Sequence, residues 1–127
     1  MRQEQDQRRQ IQLFAQGIRA IMGRAGRLFE VMRLAAGTEP EIAGLLEDLL
    51  GKRLEGMRFF VDALVRNGPL RAGLDVSEAV DVVWTLTSAE VHRLLTVGRG
   101  WSGNRYEAWL VDSLLVLLLP GTRGRRP

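Results

Sequence analysis

The sequence predicts an all-α fold, a helical bundle of about five or six helices. Three observations predict it. Apolar residues recur every three or four positions from Ile11 to Leu119, the period of a helix with one buried face. No segment alternates apolar and polar residues with the period of two that a half-buried strand requires. Short clusters of glycine, proline, serine and threonine divide the periodic runs.

The first run contains Ile11, Phe14, Ile18, Ile21, Met22, Ala25, Leu28, Phe29, Met32 and Ala35. Gly23 and Gly26 interrupt it. A glycine inside a helix costs about 1 kcal/mol relative to alanine, so a kink or break is expected there. Gly37 is expected to end the segment. Thr38, with Glu41 three residues on, reads as a capping box that starts a second helix, with Pro40 in its first turn. Ile42, Leu46, Leu49, Leu50, Leu54, Met57, Phe60, Val61 and Leu64 mark the expected buried face of this helix. Asn67-Gly68-Pro69 should stop it. At 1.5 Å per residue it would be about 40 Å long, the expected backbone of the domain.

Ser77 is expected to cap the third region, with Glu78 in its first turn. This region holds Ala79, Val80, Val82, Val83, Trp84 and Leu86. Thr87 and Glu90 read as another capping box, with a kink or restart before Val91, Leu94 and Leu95. Gly98 and Gly100 close that stretch. Ser102 should open the last helix, which runs through Tyr106, Trp109, Leu110 and Leu114 to Leu119 and ends at Pro120-Gly121.

Composition narrows the function. The chain has 127 residues, 46% of them hydrophobic and 26% charged, an ordinary globular balance and one domain's worth of sequence. With no cysteine, thiolate metal sites, disulfides and cysteine nucleophiles are excluded. The net charge is +3, and Arg123, Arg125 and Arg126 supply it. Without those three, the basic residues equal the 15 acidic ones in number, so the folded body carries no broad phosphate-binding charge. Residues 1–121 are expected to form one helical domain, and 122–127 a disordered basic tail. The polar first ten residues do not read as a signal peptide. The apolar run from Trp109 to Leu119 is too short for a membrane span of about 20 residues. The chain therefore reads as cytoplasmic.

No catalytic, metal or cofactor site is expected. His92 is the single histidine, with Glu90 two residues away on a different helix face. Gly98-Arg99-Gly100-Trp101-Ser102-Gly103 matches the glycine spacing of a dinucleotide loop, but no strand precedes it and the position about 20 residues on is Arg123. It reads as a turn between helices. With no strand-turn-helix elbow to hold a nucleophile, acyl-transfer chemistry is not expected.

Leu114 to Leu119 is a run of six large apolar residues, enough to make a helix hydrophobic all round, and such a helix must be buried all round. A helix at the end of a chain this short is expected to use a partner for that. The Val80–Leu86 region poses the same problem. A two-fold homodimer through the last two helices solves both. Val80, Val83, Val91, Leu95, Trp109, Leu110, Leu114 and Leu117 are the expected interface residues. A central helix in a monomer is the alternative, as is a C-terminal helix lying on a membrane surface.

Three stretches resemble a known family. Ser77-Glu-Ala-Val-Asp-Val-Val-Trp-Thr-Leu-Thr-Ser-Ala-Glu-Val-His-Arg-Leu-Leu95 is similar to the penultimate helix of the C-terminal domains of TetR-type (tetracycline-repressor-family) transcriptional regulators. Trp101-Ser-Gly-Asn-Arg-Tyr-Glu-Ala-Trp-Leu-Val-Asp-Ser-Leu114 looks like the start of their final helix, and Leu54-Glu-Gly-Met57 resembles their long central helix. The resemblance covers roughly residues 10 to 120 and rests on Trp, Tyr and Leu positions, not on a catalytic signature. It implies a ligand-binding and dimerisation domain, a homodimer, and a small-molecule pocket within each subunit. It also implies a helix-turn-helix head, through which DNA would be bound in the intact regulator. The residues before Gln10 cannot hold three helices, so the head is expected to be absent from this chain.

Under that resemblance the pocket candidates are Phe14, Ile18, Met22, Phe29, Met32, Met57, Phe60 and Trp84, large or pliable side chains from four helical stretches. The alternative is that they are ordinary core. The expected function is effector sensing: an apolar or amphipathic ligand enters between the first, central and penultimate helices and shifts the last of these. The rivals are a headless module that heterodimerises with a full-length regulator, and a small helical ligand carrier.

Overall fold

The computed structural model describes residues 2–121, with side chains from residue 6 onward; the basic tail over 122–127 lies outside the described residues. Every regular element among the described residues is helical. They are α1 (Arg2–Ala35), α2 (Pro40–Asn67), α3 (Val76–Leu86), α4 (Ala89–Arg93), a π-helical turn that continues α4 (Leu94–Gly98), and α5 (Gly103–Leu118). Four of these run eleven residues or more. The expected five or six counted a break at Gly23 and Gly26 and a restart after Thr87; α1 passes through both glycines without a break, and the restart gives only the five-residue α4. Neither glycine is demanded by its surroundings: a side chain at Gly23 would meet open space, and one at Gly26 only ordinary contact with His92.

The long helices close a ring. α1 packs on α2 and α5, α2 on α3, and α3 on α5. α4 lies against α1 outside that ring. The expectation that α2 would be the backbone of the domain is thus corrected. That place belongs to α1, which is longer and touches α2, α4 and α5.

The core follows the helical period. α1 supplies Ile11, Ala15, Ile18 and Met22; α2 supplies Met57, Phe60, Val61 and Leu64; α3 supplies Ala79, Val80 and Val83; α5 supplies Tyr106, Leu110, Leu114 and Leu118. Phe14 and Phe60 stack face to face, with ring centres 3.9 Å apart. Removing these surfaces from water, at about 25 cal/mol per Å², is the main force holding the ring closed.

The helix ends show how local chemistry sets the boundaries. Ser102 caps α5 as expected, accepting from the Arg105 amide at 3.1 Å. α2 stops at Asn67, before Gly68-Pro69. Three expected caps are displaced. α2 starts at Glu39 and Pro40, not at Thr38, with no side-chain cap bond. α3 is capped by Asp75, not Ser77: Asp75 accepts from the Glu78 amide at 2.8 Å while Glu78 reaches back to the Asp75 amide. α4 is capped by Ser88, not Thr87. Thr87 is buried and donates to the Val83 carbonyl at 2.7 Å.

The all-apolar end of α5 is only partly enclosed by its own chain. Leu114, Leu118 and Leu119 are buried, Leu115 and Leu117 half-buried, and Val116 is 57% exposed. No helix among the described residues is long and apolar enough to cross a membrane.

Candidate functional site

The site begins with a register. The apolar face of α2 runs Leu46, Leu50, Met57, Phe60, Leu64, at alternating spacings of four and three with one gap. The position that fills the gap is Arg53. Leu54, expected on the buried face, is instead 43% exposed. One residue is 100° of rotation, so the arginine turns inward and the leucine outward.

Arg53 reaches the end of α3. Its Nη2 donates to the Thr87 carbonyl at 2.9 Å, where helix carbonyls lack intrahelical partners and the helix dipole is negative. Its guanidinium carbon stands 5.8 Å from the centre of the Phe29 ring and 5.9 Å from that of Trp84, within range of attraction to the ring faces. Burial pulls its pKa down, while Tyr106 and Glu90 act in the opposite direction. An arginine keeps its proton at any ordinary pH, so this is a partly desolvated cation. No carboxylate among the described residues lies within 4.0 Å of it. The protein hydrogen bonds of its guanidinium all come from Nη2, so Nη1 and Nε have no described protein acceptor.

A cleft of about 140 Å³ opens beside it, between α1, α2, α3 and the start of α4. Phe29, Leu46, Leu50, Trp84 and Ala89 give it apolar walls, and Arg53 contributes the inner charge. Glu30 and Arg33 line it as an ion pair 2.8 Å apart, with Ser88 and Glu90 also on the wall. The hydrogen bond from Arg33 holds the Glu30 carboxyl below its ordinary range.

Near Arg53 lie two polar aromatic groups, Tyr106 buried and His92 half-buried. Tyr106 is fully buried, its hydroxyl has no hydrogen-bond partner among the described residues, and burial pushes its pKa up to about 12. His92 packs edge-on against the Tyr106 ring at 4.7 Å, and burial lowers its pKa from the ordinary imidazole value.

Of the eight pocket candidates, the structure brings Phe29 and Trp84 to this cleft. Ile18, Met22, Met57 and Phe60 lie in the main core, Phe14 packs half-buried against it, and Met32 is buried on α1. The sequence reading missed Arg53, Leu46 and Leu50 as cleft residues, although the four-three spacing through position 53 carried the signal. Of the eight interface candidates, Val80, Val83, Leu110 and Leu114 are buried within the single chain, while Val91, Leu95, Trp109 and Leu117 are half-buried. The first four therefore have no surface to offer a partner in this conformation. The outward side of α3 is polar, with Ser77, Glu78, Asp81 and Thr85 exposed.

A second groove, open and polar, lies between α1 and α5. Arg19 crosses it to Asn104 at 2.7 Å and Glu107 at 3.0 Å. The glycine-rich stretch at Gly98–Gly103 is the turn into α5, with Gly100 at a φ of 71° that favours glycine. No group of three or more His, Asp or Glu side chains that could hold a metal ion occurs among the described residues. The cleft thus offers shape, apolar contact and one half-buried, carboxylate-free positive charge.

Comparison with models of known protein families, with curated proteins and with solved structures returned no match.

Proposed function

We propose that this chain is the effector-sensing and dimerisation domain of a TetR-type transcriptional regulator, and that the Arg53 cleft is where it takes a small amphipathic ligand. The observation that carries this reading is the cleft itself. Its walls, Phe29, Trp84, Leu46 and Leu50, come from three different helices, and one partly desolvated cation lies among them. Apolar walls with a few placed polar groups are the usual make-up of a small-molecule site. A ligand in contact with α1, α2 and α3 at once would favour one arrangement of those helices over another, and differential affinity of this kind is what sensing requires.

Dimerisation would use the outer side of α5. Trp109 and Leu117 are half-buried there and Val116 is exposed, the part of the apolar end that the chain leaves uncovered. Native mass spectrometry of the purified chain tests both halves of the proposal. The expected result is a species of twice the 14.3 kDa chain mass, carrying a small-molecule adduct that is lost on denaturation. A monomer would rule out the dimer. A clean dimer that takes up no small acid or amide when titrated would leave an interaction module in place of a sensor. That second reading draws on Leu28, Val31 and Leu34, three exposed apolar residues spaced three apart on α1.

A further inference from the structure

The cleft has more to say about its occupant, given the ligand-binding role proposed for it. Its volume of about 140 Å³ is close to the ~150 Å³ of an apolar cavity that holds one benzene molecule. The body that fits is therefore a single ring or a short chain. Phe29 and Trp84 offer it aromatic surface, and Leu46 and Leu50 offer aliphatic surface.

The charges in reach decide the other end of the ligand. Arg33 and Glu30 neutralise one another at 2.8 Å. Arg93 acts on Glu30 from α4, and Glu90, exposed at the wall, acts on both Arg33 and Arg53 without closing to salt-bridge distance. Two cations and two carboxylates line this space, with Arg93 a third cation outside the lining, and of the two lining cations Arg53 is the one with no described carboxylate at salt-bridge distance. A cationic ligand would meet Arg53 head-on. A neutral apolar ligand seated on Arg53 would take water from charged donors and give them no acceptor in return, an unfavourable outcome. A planar carboxylate answers both problems, because its two oxygens match the fork of a guanidinium.

We infer that the cleft binds a small monocarboxylate, with its ring or short chain against Phe29, Trp84, Leu46 and Leu50 and its carboxylate on a fork of Arg53 made by the second Nη2 hydrogen and either Nη1 or Nε. Arg53 then has two roles: one Nη2 hydrogen secures the end of α3 through Thr87, and the remaining donors read the ligand. Because Trp84 is on α3 and Phe29 on α1, the ligand bridges the two helices across the arginine.

The test uses four probes on the full chain: benzoate and hexanoate, each against its neutral amide. Binding is read from the indole N–H signal of Trp84 and the Nε–H signal of Arg53 in nitrogen-15 spectra. The carboxylates are expected to bind at least about tenfold more tightly than the amides. Both signals should shift, and Arg53→Met should remove the preference while the amides still bind. If acids and amides bind equally, the inference about charge is overturned and the cleft remains a ligand site. If none of the four moves the Trp84 signal, the cleft is not a ligand site, and the proposed sensing role falls with the inference. The comparison within the wild-type chain decides the matter even if Arg53→Met fails to fold.

Discussion

Tyr106 carries a hydroxyl into the core where no described residue receives it. Its ring is needed there, against His92 and Trp109, but the oxygen is not. Burial favours the neutral phenol and pushes its pKa up to about 12, with the Arg53 charge pulling the other way. In the unfolded chain the same group ionises near pH 10. The raised folded value therefore contributes stability that is complete below about pH 10 and is lost as pH rises from there to 12, on the order of 2–3 kcal/mol. Tyr106→Phe keeps the ring and removes the orphaned oxygen. At pH 7 it is expected to melt at the wild-type temperature or above it, with a gain of up to about 1–3 kcal/mol. Its stability should also fall less steeply between pH 10 and 12. Thermal melts across that range check both, and a loss at pH 7 would mean that the hydroxyl has a partner.

The helix ends give a contrast that unfolding in urea can measure. Asp75 and Glu78 form a reciprocal cap on α3, so Asp75→Ala should cost about 1 kcal/mol. Thr38 has the residue type of a cap and a matching Glu41, yet its hydroxyl makes only a 3.5 Å contact to the Ala35 carbonyl. Thr38→Ala should change stability by less than about 0.5 kcal/mol. Such details mark the limit of what the sequence discloses. The helical class was legible because the apolar period extends over the whole chain. The stop at Asn67 and the cap at Ser102 were legible because each is fixed by its own residues. Thr38, Ser77 and Thr87 were misplaced because each has a competent neighbour, and packing of the helix decides between them. Arg53 and Leu54 pose the same ambiguity on a helix face. Both fit a three-or-four spacing, and only the position of α3 shows which one turns inward. The Arg53 cleft was hidden for that reason, while its two aromatic walls were not.

The molecule as a whole is fastened at the N-terminal end of α1. Gln7 is only 2% exposed, and its amide nitrogen donates to the carbonyls of Leu64, at 3.1 Å, and Pro69, at 3.3 Å. It ties α1 to the end of α2 and the loop beyond, while the Arg71 amide ties that loop to the Leu118 carbonyl of α5 at 2.8 Å. Gly68 makes room for this: a Cβ there would stand 2.8 Å from the Gln7 side-chain oxygen Oε1. Gln7→Ala and Gly68→Ala should each destabilise the fold by about 1–3 kcal/mol. The double variant should cost less than their sum, because both remove the same fastening. Calorimetric melts of the three variants decide this, and strict additivity would refute the link. The same helix carries Phe29 to the cleft. From Gln7 to Phe29 the backbone is unbroken, a distance of about 33 Å at 1.5 Å per residue. An uninterrupted helix of this kind has the geometry of a lever. A tilt of about 3° at the cleft end would swing the other end by nearly 2 Å over that span, so the proposed seating of one ring beside Phe29 would be felt as a mechanical displacement on the far side of the domain.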